Sequence, residues 1–236
     1  MATLTILSAG AAQSAVCRLA GKFQRDSGNL IHAEFGAAGA MRARVAAGEP
    51  VDVVILPAPL MDDLCAAGLV AGDSCASLGS VGTGVAVRAG TRRPDVRTVE
   101  VLRANILAAT RIVCPDPAVA TAGKVVLGVL DRLGVATAVR PRLQYFPDGQ
   151  AAMAALAGRA GVLEMGISQL TEIIGHPGVS LAGPLPAPLQ VMTAYAAGLA
   201  VRSAHPERSR ELLRRLTGFS AQTVLSGAGF AVGGSA

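Results

Sequence analysis

The chain has 236 residues, 51% of them hydrophobic and 16% charged, which excludes disorder and leaves room for one large domain or two lobes of ordinary size. Its formal charge of +5 comes from scattered basic residues, with no Trp, 2 Tyr and 5 Phe to stack on bases, so a small anion is the expected partner and nucleic acid is not. No apolar run approaches ~18 residues without charge or glycine, so no membrane insertion is expected.

Taken in chain order, Leu4–Leu7 reads as a strand and Ala11–Ser27 as a helix with Val16, Leu19, Ala20 and Phe23 on one face. Leu30–Phe35 extends again, Met41–Ala47 is helical, and Val51–Leu56 is a continuous apolar run of the kind covered on both faces. Leu60–Ala67 is a helix stopped at Gly68. The middle of the chain repeats the alternation. Val81–Arg88 reads as a strand, Val99–Leu107 as a helix and Arg111–Cys114 as a strand, and Thr121-Ala122-Gly123 introduces the helix Lys124–Leu133. Leu143–Phe146 is a strand, Ala151–Ala157 a helix and Met165–Ser168 a short strand, with Thr171-Glu172 opening a further turn of helix. Gln190–Val201 is extended and Pro206–Leu216 amphipathic, with Glu211 spaced to pair with Arg214 or Arg215. This βαβ alternation predicts an α/β protein with mostly parallel sheets flanked by helices.

Two loop-to-helix joints stand out, Ser8-Ala9-Gly10-Ala11-Ala12 and Gly36-Ala37-Ala38-Gly39-Ala40. A helix N-terminus carries N–H groups with no intrahelical partner and favours negative charge, and small side chains leave those groups open. Either the main chain holds an anion here, or Gly and Ala allow close strand–helix packing. Asp148, after the strand Leu143–Phe146 and before Gly149-Gln150, is the candidate carboxylate for moving a proton; its other role is to cap the next helix. Asp116, between two prolines, reads as a turn residue, Glu164 as placed at the wrong end of its strand, Glu172 as part of a helix start and Asp52 as structural. Lys124 is either a counter-charge for a carboxylate or an ordinary surface lysine. His32, His176 and His205 have no partner at ligand or triad spacing, so neither a metal nor a cofactor is expected. Cys17, Cys65, Cys75 and Cys114 show no metal-ligand spacing and read as small buried hydrophobes, with a Cys65–Cys75 disulfide as the alternative.

The stretches Leu4-Thr5-Ile6-Leu7-Ser8-Ala9, Phe35–Ala40, Ala47-Gly48-Glu49-Pro50-Val51-Asp52-Val53-Val54-Ile55, Asp116-Pro117 with Ala122-Gly123, and Gly166-Ile167-Ser168 resemble the periplasmic molybdate-binding protein family. That family has the type II solute-binding fold of ABC importers. The resemblance implies two lobes with a ligand cleft between them, one lobe holding residues 1–80 and 197–236 and the other residues 81–196. It also implies crossing strands near Gly79–Arg88 and Val191–Val201. Carried over by position, the ligand-binding residues are Ala11, Ala37, Ala38, Gly39, Thr121, Ala122, Gly149 and Gln169; Ser8, Ala9 and Gly10 join them from the first joint, and Ser8 and Ser168 are the hydroxyls that compensate for lost donors. The family places serine hydroxyls where this chain has Ala11 and Ala37-Ala38-Gly39, and a tyrosine at about Gln169. Each charge-assisted hydrogen bond is worth roughly 1.5–3 kcal/mol, so the loss of three hydroxyl donors argues against molybdate.

The segment Met165–Ile174, with Pro177-Gly178-Val179 and Gly183-Pro184-Leu185-Pro186-Ala187, is similar to a divergent branch of the same fold that includes aconitate isomerase. What this implies is a protein that binds a small (poly)carboxylate and isomerises it by an allylic proton shift. The competing expectation is a non-catalytic binding protein for molybdate or a related oxyanion. Met1-Ala2-Thr3 runs straight into the first strand without the pattern of a secretory signal, so the expected location is the cytoplasm. If Met1 instead begins a trimmed mature chain, the location is the periplasm and an ABC permease becomes a partner.

Overall fold

The structure, a computed structural model, describes residues 1–159 and 161–233. The chain opens with β1 (Thr3–Ala9), α1 (Gln13–Ser27), β2 (Leu30–Gly36), α2 (Ala38–Ala46), β3 (Val53–Pro57), α3 (Ala58–Ala66) and β4 (Ala76–Val81). The middle holds β5 (Thr83–Arg88), α4 (Val99–Ala108), β6 (Arg111–Pro115), α5 (Thr121–Arg132), α6 (Ala136–Val139) and β7 (Leu143–Phe146). It continues through α7 (Gly149–Ala157), β8 (Glu164–Gln169), α8 (Leu170–Ile174) and β9 (Val179–Pro184). The last elements are β10 (Thr193–Leu199), α9 (Pro206–Thr217) and α10 (Gln222–Gly227). Two compact units result: Met1–Val81 together with the chain from Thr193 onward, and Gly82–Met192.

The first unit is built on a five-stranded mixed sheet in the order β2-β1-β3-β10-β4. β1 runs parallel to β2 and β3, whereas β10 is antiparallel to β3 and β4. All of β3 is buried, as its unbroken apolar run requires of a strand with helices on both faces. Asp52 ties this sheet together: its Oδ2 accepts from the Thr5 N–H at 2.8 Å and its Oδ1 from the Ser203 hydroxyl at 2.5 Å. α1 turns Ala15, Val16, Leu19, Ala20 and Phe23 inward and stops at Gly28, whose φ of 70° is the left-handed conformation glycine takes without strain. Cys17 is exposed rather than buried, because one residue beyond Val16 the helix has turned about 100° away from that face.

The second unit has the sheet order β7-β6-β8-β5-β9, with β6 parallel to β7 and β8 and β5 antiparallel to β8 and β9. Strand alternation divides its core in two: Val85 and Ile112 pack with Leu102, Val126 and Leu130, while their neighbours Ala86 and Val113 pack with Met153, Leu156 and Ile173 on the other face.

Three further expectations change. The segment expected as one strand over 81–88 is broken at Gly82 into β4 and β5. The Gln190 amide grips the chain there, accepting from the Thr83 N–H at 2.8 Å and donating to the Thr83 carbonyl at 3.0 Å. β9 is an added strand after Pro177-Gly178. Glu211 reaches Arg208 at 3.9 Å, and Arg215 instead pairs with Asp26 at 3.5 Å. Among the described residues no helix is long and apolar enough to cross a membrane.

Candidate functional site

Parallel strands put their carboxyl ends on one edge, and in open α/β sheets that edge is where ligands bind. In the first unit Ala9 pairs in register with Gly36, so the two Gly/Ala joints lie side by side. Gly10–Ala12 forms a short 3-10 turn leading into α1, and neither Ala9 before it nor Ala37 before α2 supplies a side-chain cap. The joint residues Ser8, Ala9, Gly10 and Ala11 are buried, as are Ala37 and Ala38, with Gly39 partly so. The Ser8 hydroxyl donates to the Ala9 carbonyl at 3.0 Å.

In the second unit the carboxyl ends of β6, β7 and β8 share an edge. After β6, the Asp116 carboxylate accepts from the Ala118 N–H at 2.8 Å, the turn role its flanking prolines indicate. Thr121-Ala122 then open α5, which has no side-chain cap; Lys124 on its first turn is exposed. The backbone at Gly123 lies so close to β6 that a Cβ would overlap the Pro115 carbonyl. After β7, Asp148 caps α7, its carboxylate accepting from the Ala151 N–H at 2.8 Å. β8 delivers Ser168 and Gln169, both buried, and runs directly into α8.

α8 carries the residue that sequence reasoning set aside. Glu172 is 4% exposed, and its Oε2 accepts from the Ser168 hydroxyl at 2.5 Å. Gly149, the first residue of α7, packs against this pair; a Cβ there would overlap the Glu172 carboxylate. Burial is the main cause that pushes the Glu172 carboxyl up to about 7, and the nearby Asp148 charge adds to it. The Ser168 hydroxyl and the main chain at Gln169 and Gly149 act in the opposite direction by stabilising the anion. Three of the sequence candidates, Asp148, Gly149 and Ser168, therefore meet around one carboxyl group that titrates near neutrality. Thr121-Ala122 follow the neighbouring strand on the same edge. The signal for Glu172 was present in its spacing: Ser168 and Glu172 are four residues apart across a strand-to-helix joint.

A buried carboxyl with a pKa near 7 can give and take a proton at neutral pH, and main-chain N–H groups at uncapped helix starts can hold carboxylates or other oxyanions. Residues 4–231 match the family of bacterial extracellular solute-binding proteins. The chain belongs to this family. It is 28% identical over 235 residues to an aconitate isomerase from a Pseudomonas species, which covers 96% of this chain and 87% of that protein. Its fold is similar to the periplasmic molybdate-binding protein of Azotobacter vinelandii, with a TM-score of 0.82 at 20% identity over 98% of this chain and all of that one. It is similar also to the sulfate-binding protein of Mycobacterium tuberculosis, with a TM-score of 0.76 at 19% identity over 98% and 86% of the two chains. The two mixed sheets flanked by helices are thus those of the two-lobed periplasmic-binding-protein fold.

Proposed function

We propose that this protein binds a small polycarboxylate and isomerises it by an allylic proton shift of the aconitate type. The observation that carries this reading is Glu172, a buried carboxyl poised near pH 7, in hydrogen bond to Ser168 and beside the charge of Asp148. In the shift, ionised Glu172 takes a proton from the methylene carbon of the unsaturated acid. The electron pair spreads over the double bond and its carboxylate, and the proton returns at the far allylic carbon as the double bond moves. Reactant and product have one formula, so the step needs no oxidant, reductant or cofactor. The charge that develops calls for preorganised donors, a role we give to the main-chain N–H groups at the uncapped start of α5, after β6 on the same edge of this sheet. Asp148 caps α7 and holds the Glu172 pKa up; we assign the proton to Glu172 and its tuning to Asp148. The 28% identical relative named aconitate isomerase supports the substrate class.

A second reading, a non-catalytic receptor for molybdate or a related oxyanion working with an ABC permease, draws on family membership and on the molybdate-binding neighbour. The isomerase reading goes with a cytoplasmic protein and the receptor reading with an exported one.

The deciding experiment is proton NMR in D2O with cis- and trans-aconitate. Isomer interconversion, or solvent deuterium at an allylic carbon, supports the isomerase. Unchanged spectra, together with a large thermal shift from molybdate or tungstate and none from the carboxylates, overturn it in favour of the receptor. A ligand at a hundred times its Kd adds about 2.7 kcal/mol of stability, enough to read in such a screen.

A further inference from the structure

Within the second unit a cavity of about 570 Å³ opens at the end of the sheet opposite Glu172, where β5 finishes at Arg88 and β8 begins at Glu164. The two places are separated by the length of β8, roughly 17 Å at ~3.3 Å per residue. The volume lies in the range of small-molecule sites. Val87 and Met165 contribute buried apolar surface to the lining. Val162 and Leu163 stand at 78% and 55% exposed, an unusual investment of branched apolar side chains in solvent. Leu163 is held with φ at 55°, a strained conformation for a non-glycine residue, while the Thr110 N–H donates to its carbonyl and the Thr110 hydroxyl to the Val162 carbonyl.

The charge in this cavity is unbalanced. Its two carboxylates are already matched: Asp95 pairs with Arg97 at 2.7 Å, and Glu164 pairs with Arg111 at 3.3 Å and Arg159 at 3.7 Å. Arg88, Arg92 and Arg93 also line it, and among the described residues none of the three has a carboxylate partner. Arg88 is the telling one. Its Nε is enclosed by protein and has no hydrogen-bond partner among the described residues. Protein packed around Nε holds this side chain in the cavity wall, and a guanidinium with no carboxylate partner is complemented by an oxyanion that accepts through two oxygens.

We propose that this cavity is a second binding site, separate from Glu172, for an organic oxyanion: a carboxylate or phosphate head held by Arg88, Arg92 and Arg93, on an apolar body packed against Val162, Leu163 and Met165. Octyl phosphate and octanoate serve as probes, titrated into the full chain by isothermal calorimetry. Saturable one-to-one binding of either is expected, with octanol failing to compete. Arg88→Met and the exposed pair Arg92→Gln/Arg93→Gln should each weaken binding by about tenfold or more, as loss of a charge-assisted hydrogen bond requires. The paired variant changes only exposed side chains, so its result stands even if Arg88→Met folds poorly. The site is refuted by any of three results: no saturation up to roughly 1 mM, the affinity of a merely weak contact; an affinity for octanol equal to that for the anions; or unaltered binding in the paired arginine variant.

Discussion

The carboxyl edges of the two sheets are built alike and furnished differently. In the first unit the joints after β1 and β2 are Gly and Ala apart from Ser8, contain no ionisable side chain, and lead into helices with no side-chain cap. In the second unit the corresponding edge carries Asp148 and Glu172, one capping a helix and the other buried against that helix's first residue. Bare main chain can bind an anion but cannot take its proton. A buried carboxyl can move a proton but repels an anion while ionised. The contrast separates a part that can hold an anion from a part that can move a proton, and each can be tested by itself.

The largest effect belongs to the reacting part. Glu172→Gln keeps the shape and leaves the Ser168 hydroxyl an amide oxygen to donate to, but removes the titrating proton. Turnover should fall by about 100-fold or more, the usual contribution of a general base, while carboxylate binding persists. Deuterium incorporation from solvent measures the first and calorimetry the second. Full turnover in the variant would end the assignment of the proton to Glu172.

The same group sets a pH dependence of stability. Its pKa is raised from 4.5 to about 7 on folding, so the folded state binds the proton more tightly than the unfolded chain. Below pH ~4.5 both states are protonated and stability is unaffected. Between there and pH ~7 the unfolded chain ionises first and stability falls, and above pH ~7 the loss is complete, on the order of 3 kcal/mol. Glu172→Gln escapes this loss, so at pH 8 it should be more stable than the parent chain and at pH 4 about equal. Denaturant melts at both pH values check this; parallel curves for the two proteins would mean that Glu172 is not perturbed. The gain would be the mark of a stability–activity trade-off, as a site held ready for chemistry predicts.

The holding part is tested through a main-chain donor. Ala38 is the first residue of α2, where the N–H has no intrahelical partner, and Ala37 before it has φ −59° and ψ 134°. That is the extended conformation a residue preceding proline adopts, and proline itself fits the first helical position. Ala38→Pro should therefore fold normally while deleting one N–H. Affinity for an anion held at this joint, read by calorimetry, should drop by about tenfold, because a bond of roughly 1.5 kcal/mol or more is lost. Unchanged affinity would show that this joint serves packing.

How much of this could be read from the chain itself follows from the range over which each signal acts. The unbroken run Val51–Leu56 announced a strand covered on both faces, and β3 is one. Asp52 and Asp116 were legible as structural because their neighbours impose turns and strand entries. β9 was not, since Val179–Pro184 is short and neither alternates nor stays apolar; it is a strand because β5 pairs with it. Glu172 was hidden for a similar reason. Its helix start was visible, but its burial depends on Gly149, 23 positions earlier, yielding room that any side chain would fill. Cys17 shows the converse: a residue beside an apolar stripe is not on it, and the helical period of 3.6 decides.

The smallest effect separates the two roles of Asp148. Its carboxylate caps α7 through the Ala151 N–H, and its charge is the second cause, after burial, of the raised Glu172 pKa. Asp148→Ala removes both and should cost ~1 kcal/mol of stability, the usual value of a lost cap. Asp148→Asn keeps the cap, since asparagine is an equally good acceptor there, and removes only the charge. It should hold stability within a few tenths of a kcal/mol while shifting the acid limb of the pH–rate profile to lower pH. That shift, without loss of maximal turnover, is what a tuning residue produces. A collapse of turnover at every pH in Asp148→Asn would instead return the proton to Asp148 and leave Glu172 as its buried neighbour.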